Sequence, residues 1–211
     1  GNLFITALAE ITGSFESAVA ESGRVLAVQG QVLPSTLKDL RLAADVRLPA
    51  AASDVRVSGE SQIPKTNGRV KHIWIEPGDP PAFPQAIQAI LAADLIIIGP
   101  GSLYTSILPN LLVPDLLEAV RASRAMKMYI CNVATEKGET TGYSCGDHIR
   151  VIEEHVSGHL FNVVVANDCY EGNLPETVDW VRIEPDLKDE YAIYPADLVN
   201  TLYPWRHDSQ K

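Results

Sequence analysis

Three unbroken apolar runs constrain the fold of this chain more than any other feature. "DLIIIG" (94–99), "KMYICNVA" (127–134) and "FNVVVAND" (161–168) string large and β-branched residues together with little polar alternation. A strand wetted on one face alternates, whereas a strand covered on both faces reads as a continuous run. Segments of helical period flank these runs. "PAFPQAIQAILAA" sets Ala86, Ile87, Ile90 and Leu91 on one face with Pro84 in the first turn, "VPDLLEAVRASRA" begins at Pro114, and "SCGDHIRVIEEHVS" has a cap near Ser144. Strands alternating with helices predict an α/β fold: a Rossmann-like, doubly wound, mostly parallel sheet with right-handed crossovers.

The first third of the chain has another rhythm. "GNLFITALAEITGSFESA" is helical, with Leu3, Phe4, Ala7, Leu8 and Ile11 on one face. An apolar helix under way at residue 1, without Met, points to preceding sequence that is missing; an engineered boundary is the other reading. Arg24 to Thr36 reads as strand, glycine break, short strand and proline turn. The following segment predicts a small β excursion with tips at Pro49–Ser53 and Asn67-Gly68. It ends in the strand "RVKHIWIEP", where Val70, His72 and Trp74 oppose Lys71, Ile73 and Ile75. The tail predicts two short strands and a final turn or helix. No repeat or low-complexity linker appears, so residues 1–211 read as one domain.

Charge and cysteines narrow the function classes. A net charge of −10 argues against general binding to nucleic acid or anionic membrane, yet a local nest of N–H groups can hold a phosphate in an acidic protein. Cys131, Cys145 and Cys169 lack CxxC spacing and read as reduced thiols. No apolar run approaches the roughly 20 residues needed to span a bilayer. A cytoplasmic protein is the expectation.

Ligands of open α/β sheets bind beyond the carboxyl ends of the strands, which selects three segments. The first is Gly99-Pro100-Gly101-Ser102 with Tyr104, Thr105, Ser106 and Asn110. It reads as an anion cradle or as a tight turn with Ser102 merely capping a helix; the loop alone leaves both open. The second is the polar loop Cys131–Ile149, holding Asn132, Thr135, Glu139, Thr140, Tyr143, Asp147 and His148. Asp147 also suits a first helical turn for electrostatic reasons alone. His148, His155 and His159 share a face, but without an HExxH pattern they do not read as a metal site, and His155 and His159 read as surface or interface histidines. The third is the tail, where Arg206, His207 and Asp208 follow Trp205, an indole costly to leave exposed. A Ser hydrolase is excluded by the missing G-x-S-x-G elbow.

As a set, "GNLFITALAEITGSFESA", "VLPST", "GES", "GPGSLYTSILPNLLVPDL", "CNVATEKGETTGYSCGDHI", "VVVAND" and "PWRHDSQK" resemble the YvcK-like gluconeogenesis factors. These share a superfamily with the CofD-like 2-phospho-L-lactate transferases. The resemblance implies a Rossmann-like nucleotide-binding fold. Its CofD-like branch moves a phospholactyl group from a GDP-activated donor to a deazaflavin precursor, with a divalent metal such as Mg. Its YvcK-like branch implies UDP-sugar binding and roles in gluconeogenic growth, cell shape and cell-wall synthesis. The motifs here look like the second branch; a transferase and a non-catalytic scaffold are the alternatives. The family's opening strand, its GGGTG-type loop and an Asp-Asp-Gly-Gly segment are not in this sequence, so the first βα unit reads as missing. Carried over by position, ligand-facing residues are Gly99, Gly101, Ser102, Tyr104, Thr105, Asn110, Asn132, Glu139, Tyr143, Asp147, His148 and Arg206. The resemblance implies phosphate contact by Gly101 and Ser102, sugar or base contact by Tyr104, and diphosphate neutralisation by Arg206. Asp147 would orient His148 or a bound hydroxyl. No metal ligand is assigned, the implied partner is a UDP-sugar or other nucleotide diphosphate, and a homo-oligomer is left open.

Overall fold

The apolar runs become the strands of one parallel sheet. In the computed structural model, which describes residues 2–25, 29–49, 53–66 and 68–211, β4 (Leu95–Ile98), β5 (Met126–Ile130), β6 (Val163–Asn167) and β7 (Ile193–Ala196) lie side by side in sequential order. All three pairings are parallel, with Ile98 opposite Tyr129 and Tyr129 opposite Val164. Helices α3 (Pro84–Ala92) and α5 (Pro114–Ala122) pack on each other, and both begin with the proline that their sequences place in the first turn. Helix α6 (Cys145–Val156) carries the crossover from β5 to β6 and buries Ile149, Ile152 and Val156. Its start is a full capping box: the Ser144 hydroxyl accepts from the Asp147 N–H while the Asp147 carboxylate accepts from the Ser144 N–H. The α/β expectation holds, with a four-stranded parallel sheet and a small antiparallel one.

That second sheet has the order β2-β1-β3, built from β1 (Arg41–Arg47), β2 (Val55–Ser58) and β3 (Arg69–Glu76). Of its expected tips, residues 50–52 and 67 lie outside the described residues. The alternation expected in β3 is interrupted. Asp45 pairs with His72 but Val46 pairs with Val70, leaving Lys71 as an extra residue in a bulge. A bulge shifts side-chain parity by one, so Val70 joins Ile73 and Ile75 in the core and does not share a face with His72 and Trp74.

Other expectations need correction. Strand β4 is not covered on both faces: Leu95 and Ile97 are 45% and 51% exposed, and Met126, opposite Leu95 on the inner strand β5, is exposed on the same face. Leu91 of α3 likewise points outward. The strand expected over Arg24–Thr36 is absent from its described part. Arg24 and Val25 close α2 (Phe15–Val25), which follows α1 (Asn2–Thr12), and residues 26–28 lie outside the described residues. Residues 29–40 form an irregular, bent segment without a ladder partner, tied by single bonds such as Phe83 N–H to the Ser35 carbonyl. The tail contributes one strand, β7, and a short helix, α7 (Leu187–Glu190), before a bridge between Val199 and His207. Among the described residues no single helix is long and apolar enough to cross a membrane; α1 and α2 meet the length and composition requirement only together, across a 117° bend.

Candidate functional site

The carboxyl end of β4 turns on Gly99. Its φ of +81° and the Ile130 carbonyl, which a Cβ would approach to 2.6 Å, both require glycine. Gly101 is then held by Asn132 at the end of β5. Its N–H donates to Asn132 Oδ1 (3.2 Å), and Asn132 Nδ2 donates back to its carbonyl (3.0 Å). A buried amide thus joins the two strand ends as a ladder pair would. Beyond Ser102 the chain enters a π-type turn over Leu103–Ile107, in which the Ile107 N–H reaches the Ser102 carbonyl (3.0 Å). Ser102 makes no side-chain cap to this turn, so the simple capping reading fails.

The donors at the start of that turn are already engaged. Glu139 accepts from the Tyr104 N–H (3.1 Å) and the Thr105 hydroxyl (2.8 Å). Glu139 is 6% exposed, and burial pushes its pKa up despite these bonds. Gly138 makes the placement possible: with φ +84°, a Cβ there would lie 2.1 Å from the Pro64 carbonyl. The chain's own carboxylate therefore stands where an anion nest would hold a phosphate.

Several expected ligand residues have structural tasks instead. The Tyr104 side chain is 1% exposed, and its phenol bonds that of Tyr143 (2.8 Å), so it presents nothing to a sugar or base. Burial, then the Tyr143 bond, drives its pKa upward. Asp147 does not orient His148. Its carboxylate is committed to Ser144 and to Arg150 (2.7 Å); these bonds hold its pKa down against a burial effect that raises it. His148 is fully buried and shares its Nδ1 with the Ser144 carbonyl (2.8 Å), while Nε2 has no partner. Burial lowers its pKa and keeps the ring neutral. Asn110 is exposed and bonds Ser35 and the Ser106 carbonyl. His155 is an interface residue: Nε2 accepts from the Ile73 N–H (3.1 Å), Nδ1 donates to the Val151 carbonyl (2.7 Å), and the ring stacks on His72 at 4.6 Å. It fastens the antiparallel sheet to α6. His159, beyond that helix, meets Glu153. Among the described residues no group of three or more His, Cys, Asp or Glu could hold a metal ion.

Three separately chosen segments nevertheless converge. A cleft of about 490 Å³ is lined by Pro100 and Gly101, by the stretch Asn132–Lys137 with Val178, and by Trp205, Arg206 and His207. It lies at the carboxyl ends of β4 and β5, with the tail folded over it. A second cleft, of about 510 Å³, is lined by Arg69, Lys137, Glu139, Tyr143, Asp147 and neighbouring glycines and threonines. Lys137 stands on the rim of both. Arg69, Lys137 and Arg206 have no carboxylate partner among the described residues; Arg69 lies over the Tyr143 ring at 5.8 Å and Arg206 over Tyr203 at 5.7 Å. Gly99 and Asn110 border a third, smaller depression. Arg69 and Lys137 are not among the residues expected from sequence. Arg69 sits in the β excursion, far from any strand end of the parallel sheet, and Lys137 in a charged stretch with no pattern of its own.

Comparison with known proteins accords with this architecture. The chain is 46% identical over 227 aligned residues to the gluconeogenesis factor of Bacillus subtilis, covering 100% of this chain and 68% of that protein. It is 38% identical over 194 residues to the gluconeogenesis factor of Halalkalibacterium halodurans, covering 92% of this chain and 59% of that one. A crystal structure of a UPF0052 family protein from Bacillus halodurans superposes with a TM-score of 0.85 at 33% identity, covering 99% of this chain and 68% of the other. Among the first curated relatives the chain spans from 32% to 66% of their length. The family model for the 2-phospho-L-lactate transferase CofD matches residues 1–191. The chain belongs to the CofD family, alongside the gluconeogenesis factors.

Proposed function

We propose that the cleft between the Gly99–Ser102 loop, the Asn132–Lys137 stretch and the tail binds the diphosphate of a nucleotide-linked sugar, a UDP-sugar, and that the chain acts as a ligand-sensing factor in carbon metabolism, cell shape and cell-wall synthesis. One observation carries this reading: in a protein of net charge −10, Lys137 and Arg206 meet at one cleft, and neither forms an ion pair among the described residues, although the Glu136 carboxylate also lines it. An unpaired guanidinium offers a diphosphate two parallel donors, and a lysine adds a mobile point charge. Gly101 supplies close backbone approach, and Ser102 a hydroxyl at the loop's end. The donors of Tyr104 and Thr105 take part only by holding the turn against Glu139.

The experiment is calorimetry with UDP-N-acetylglucosamine on the wild-type chain and on the Ser102→Trp and Arg206→Ala variants. Binding that weakens in both variants supports the reading; unchanged affinity in both removes it. A transferase reading draws on the second cleft, where Arg69 lies over Tyr143 and a planar acceptor would fit beside a donor in the first. It demands turnover with a GDP-activated donor and a deazaflavin precursor. The divalent metal it calls for finds no ligand cluster among the described residues.

A further inference from the structure

Two buried asparagines stand at the carboxyl ends of the central strands and reach in opposite directions. Asn132, two residues beyond β5, turns toward β4: it accepts from the Gly101 N–H (3.2 Å) and donates to the Gly101 carbonyl (3.0 Å). Asn167 closes β6 and turns toward β7: its Oδ1 accepts from the Leu198 N–H (3.2 Å), while its Nδ2 donates to the Cys169 carbonyl. They are 6% and 1% exposed. Leu198 begins a hairpin that carries Arg206. In it the Asn200 N–H donates to the Arg206 carbonyl (3.0 Å), the Asp208 N–H to the Leu198 carbonyl (2.9 Å), and Val199 bridges His207. Between the two amides the Cys131 N–H donates to the Val165 carbonyl (2.9 Å) and holds β5 to β6. The cleft of Gly101 and Arg206 thus has one wall tied to the end of β5 and the other to the end of β6.

A planar side-chain amide offers a donor and an acceptor side by side, as a peptide unit does. Beyond the last ladder bond it can therefore continue the pairing of a strand. A carboxylate has no donor to give, and each asparagine serves a carbonyl as well as an N–H. We propose that Asn132 and Asn167 are a pair of positioning residues, which extend the sheet's pairing past its carboxyl edge and set the two walls of the cleft independently. The consequence for ligand rests on the reading of that cleft as a diphosphate site; the consequence for the walls does not.

Asn132→Asp and Asn167→Asp test this. Each keeps the shape and one acceptor oxygen but turns a carboxylate oxygen toward a carbonyl. Protonated, the carboxyl donates again, and burial brings that protonation within reach of mild acid. Glu136, Lys137, Arg206 and His207 surround the first position, and Asp168 and Asp197 flank the second. The wild type carries the same groups, so each variant is compared with it at the same pH. At about pH 7.5, protection against hydrogen exchange is expected to fall about tenfold at Gly101 in Asn132→Asp alone, and at Leu198, Asn200 and Asp208 in Asn167→Asp alone. At about pH 5 both should return toward wild type. UDP-N-acetylglucosamine affinity is expected to fall about tenfold in both variants and to recover over the same range. Unchanged protection, a loss that spreads to the other wall or to the Cys131 amide, or a loss that acid does not reverse overturns the proposal. A reversible loss confined to one wall, in a chain whose wild type binds no nucleotide-sugar, upholds the positioning roles and removes the cleft's assigned ligand.

Discussion

The two clefts that share Lys137 differ in how their polar groups are spent. In the one bounded by Glu139, Tyr143 and Asp147, the acidic and phenolic groups have partners within the chain, Glu139 with the Tyr104 N–H and Thr105, Tyr143 with Tyr104, Asp147 with Ser144 and Arg150, while Arg69 and Lys137 on its walls form no ion pair among the described residues. In the one bounded by Gly101, Asn132 and Arg206, the backbone is fixed but neither Lys137 nor Arg206 forms an ion pair among the described residues, even with Glu136 on the same wall. Buried polar groups that satisfy one another hold a structure together, while preformed geometry with unspent charge suits a ligand. Residues of equal promise in the sequence thereby fall into different roles.

The sharpest way to break this contrast is Glu139→Ala. It strips the acceptor from two donors and is expected to cost about 2–3 kcal/mol in urea unfolding. Glu139→Gln, which keeps one acceptor oxygen, should cost distinctly less. A neutral result for the alanine variant would mean that the carboxylate does not hold the turn.

Arg206→Ala should do the reverse. Stability should stay within about 0.5 kcal/mol of wild type, as for other exposed sites. Nucleotide-sugar affinity should fall by about ten- to a hundredfold, the range of a charge-assisted contact. If Arg206→Ala lowers stability by more than about 1 kcal/mol and spares binding, the two clefts have been assigned the wrong way round.

Acid sharpens the comparison next. His148, His155 and His207 all have pKa values lowered chiefly by burial, so the unfolded chain binds more protons than the folded one as pH falls through about 6.5. Their stabilising share is complete above that pH and is lost below it, each histidine contributing a slope of up to about 1.4 kcal/mol per pH unit. Glu139 opposes them: its raised pKa makes the folded state bind protons more readily, so its contribution worsens as pH rises from about 4.5. Urea midpoints between pH 5 and 7.5 should therefore climb with pH, and more gently in His155→Gln.

Asp147→Ala should show the smallest effect, about 1 kcal/mol from the lost capping box, with ligand affinity unchanged. A large loss of affinity without a stability change would return Asp147 to the ligand.

Much of the parallel half was legible because its signals are local. Unbroken apolar runs, Pro84 and Pro114 at helix starts and Ser144 three residues before Asp147 all report their own surroundings. The misreadings share a different cause. "VLAVQGQVL" has strand composition, but strands require a partner and its described part has none. The alternation of β3 was sound until the bulge at Lys71, which depends on the pairing of β1. Strand β4 is apolar throughout, yet Leu95 and Ile97 lie on a face of the sheet left open among the described residues, together with Met126 of β5.

The candidate site divides along the same line. Gly99 is demanded by backbone geometry, and the polarity of Asn132, Glu139 and Arg206 at strand ends or in the tail marks them as worth attention in a bare sequence. Their partners are not so marked. Glu139 meets the Tyr104 N–H and Thr105 across 35 and 34 residues, and Gly101 meets Asn132 across 31. By itself, then, the sequence determined which segments form strands and helices and which residue types gather at the strand ends, since propensity, period and capping act over a few neighbours. Only the tertiary structure decided which of those polar groups neutralise each other and which stay open, because hydrogen bonding and charge pairing depend on distances that chain folding alone sets.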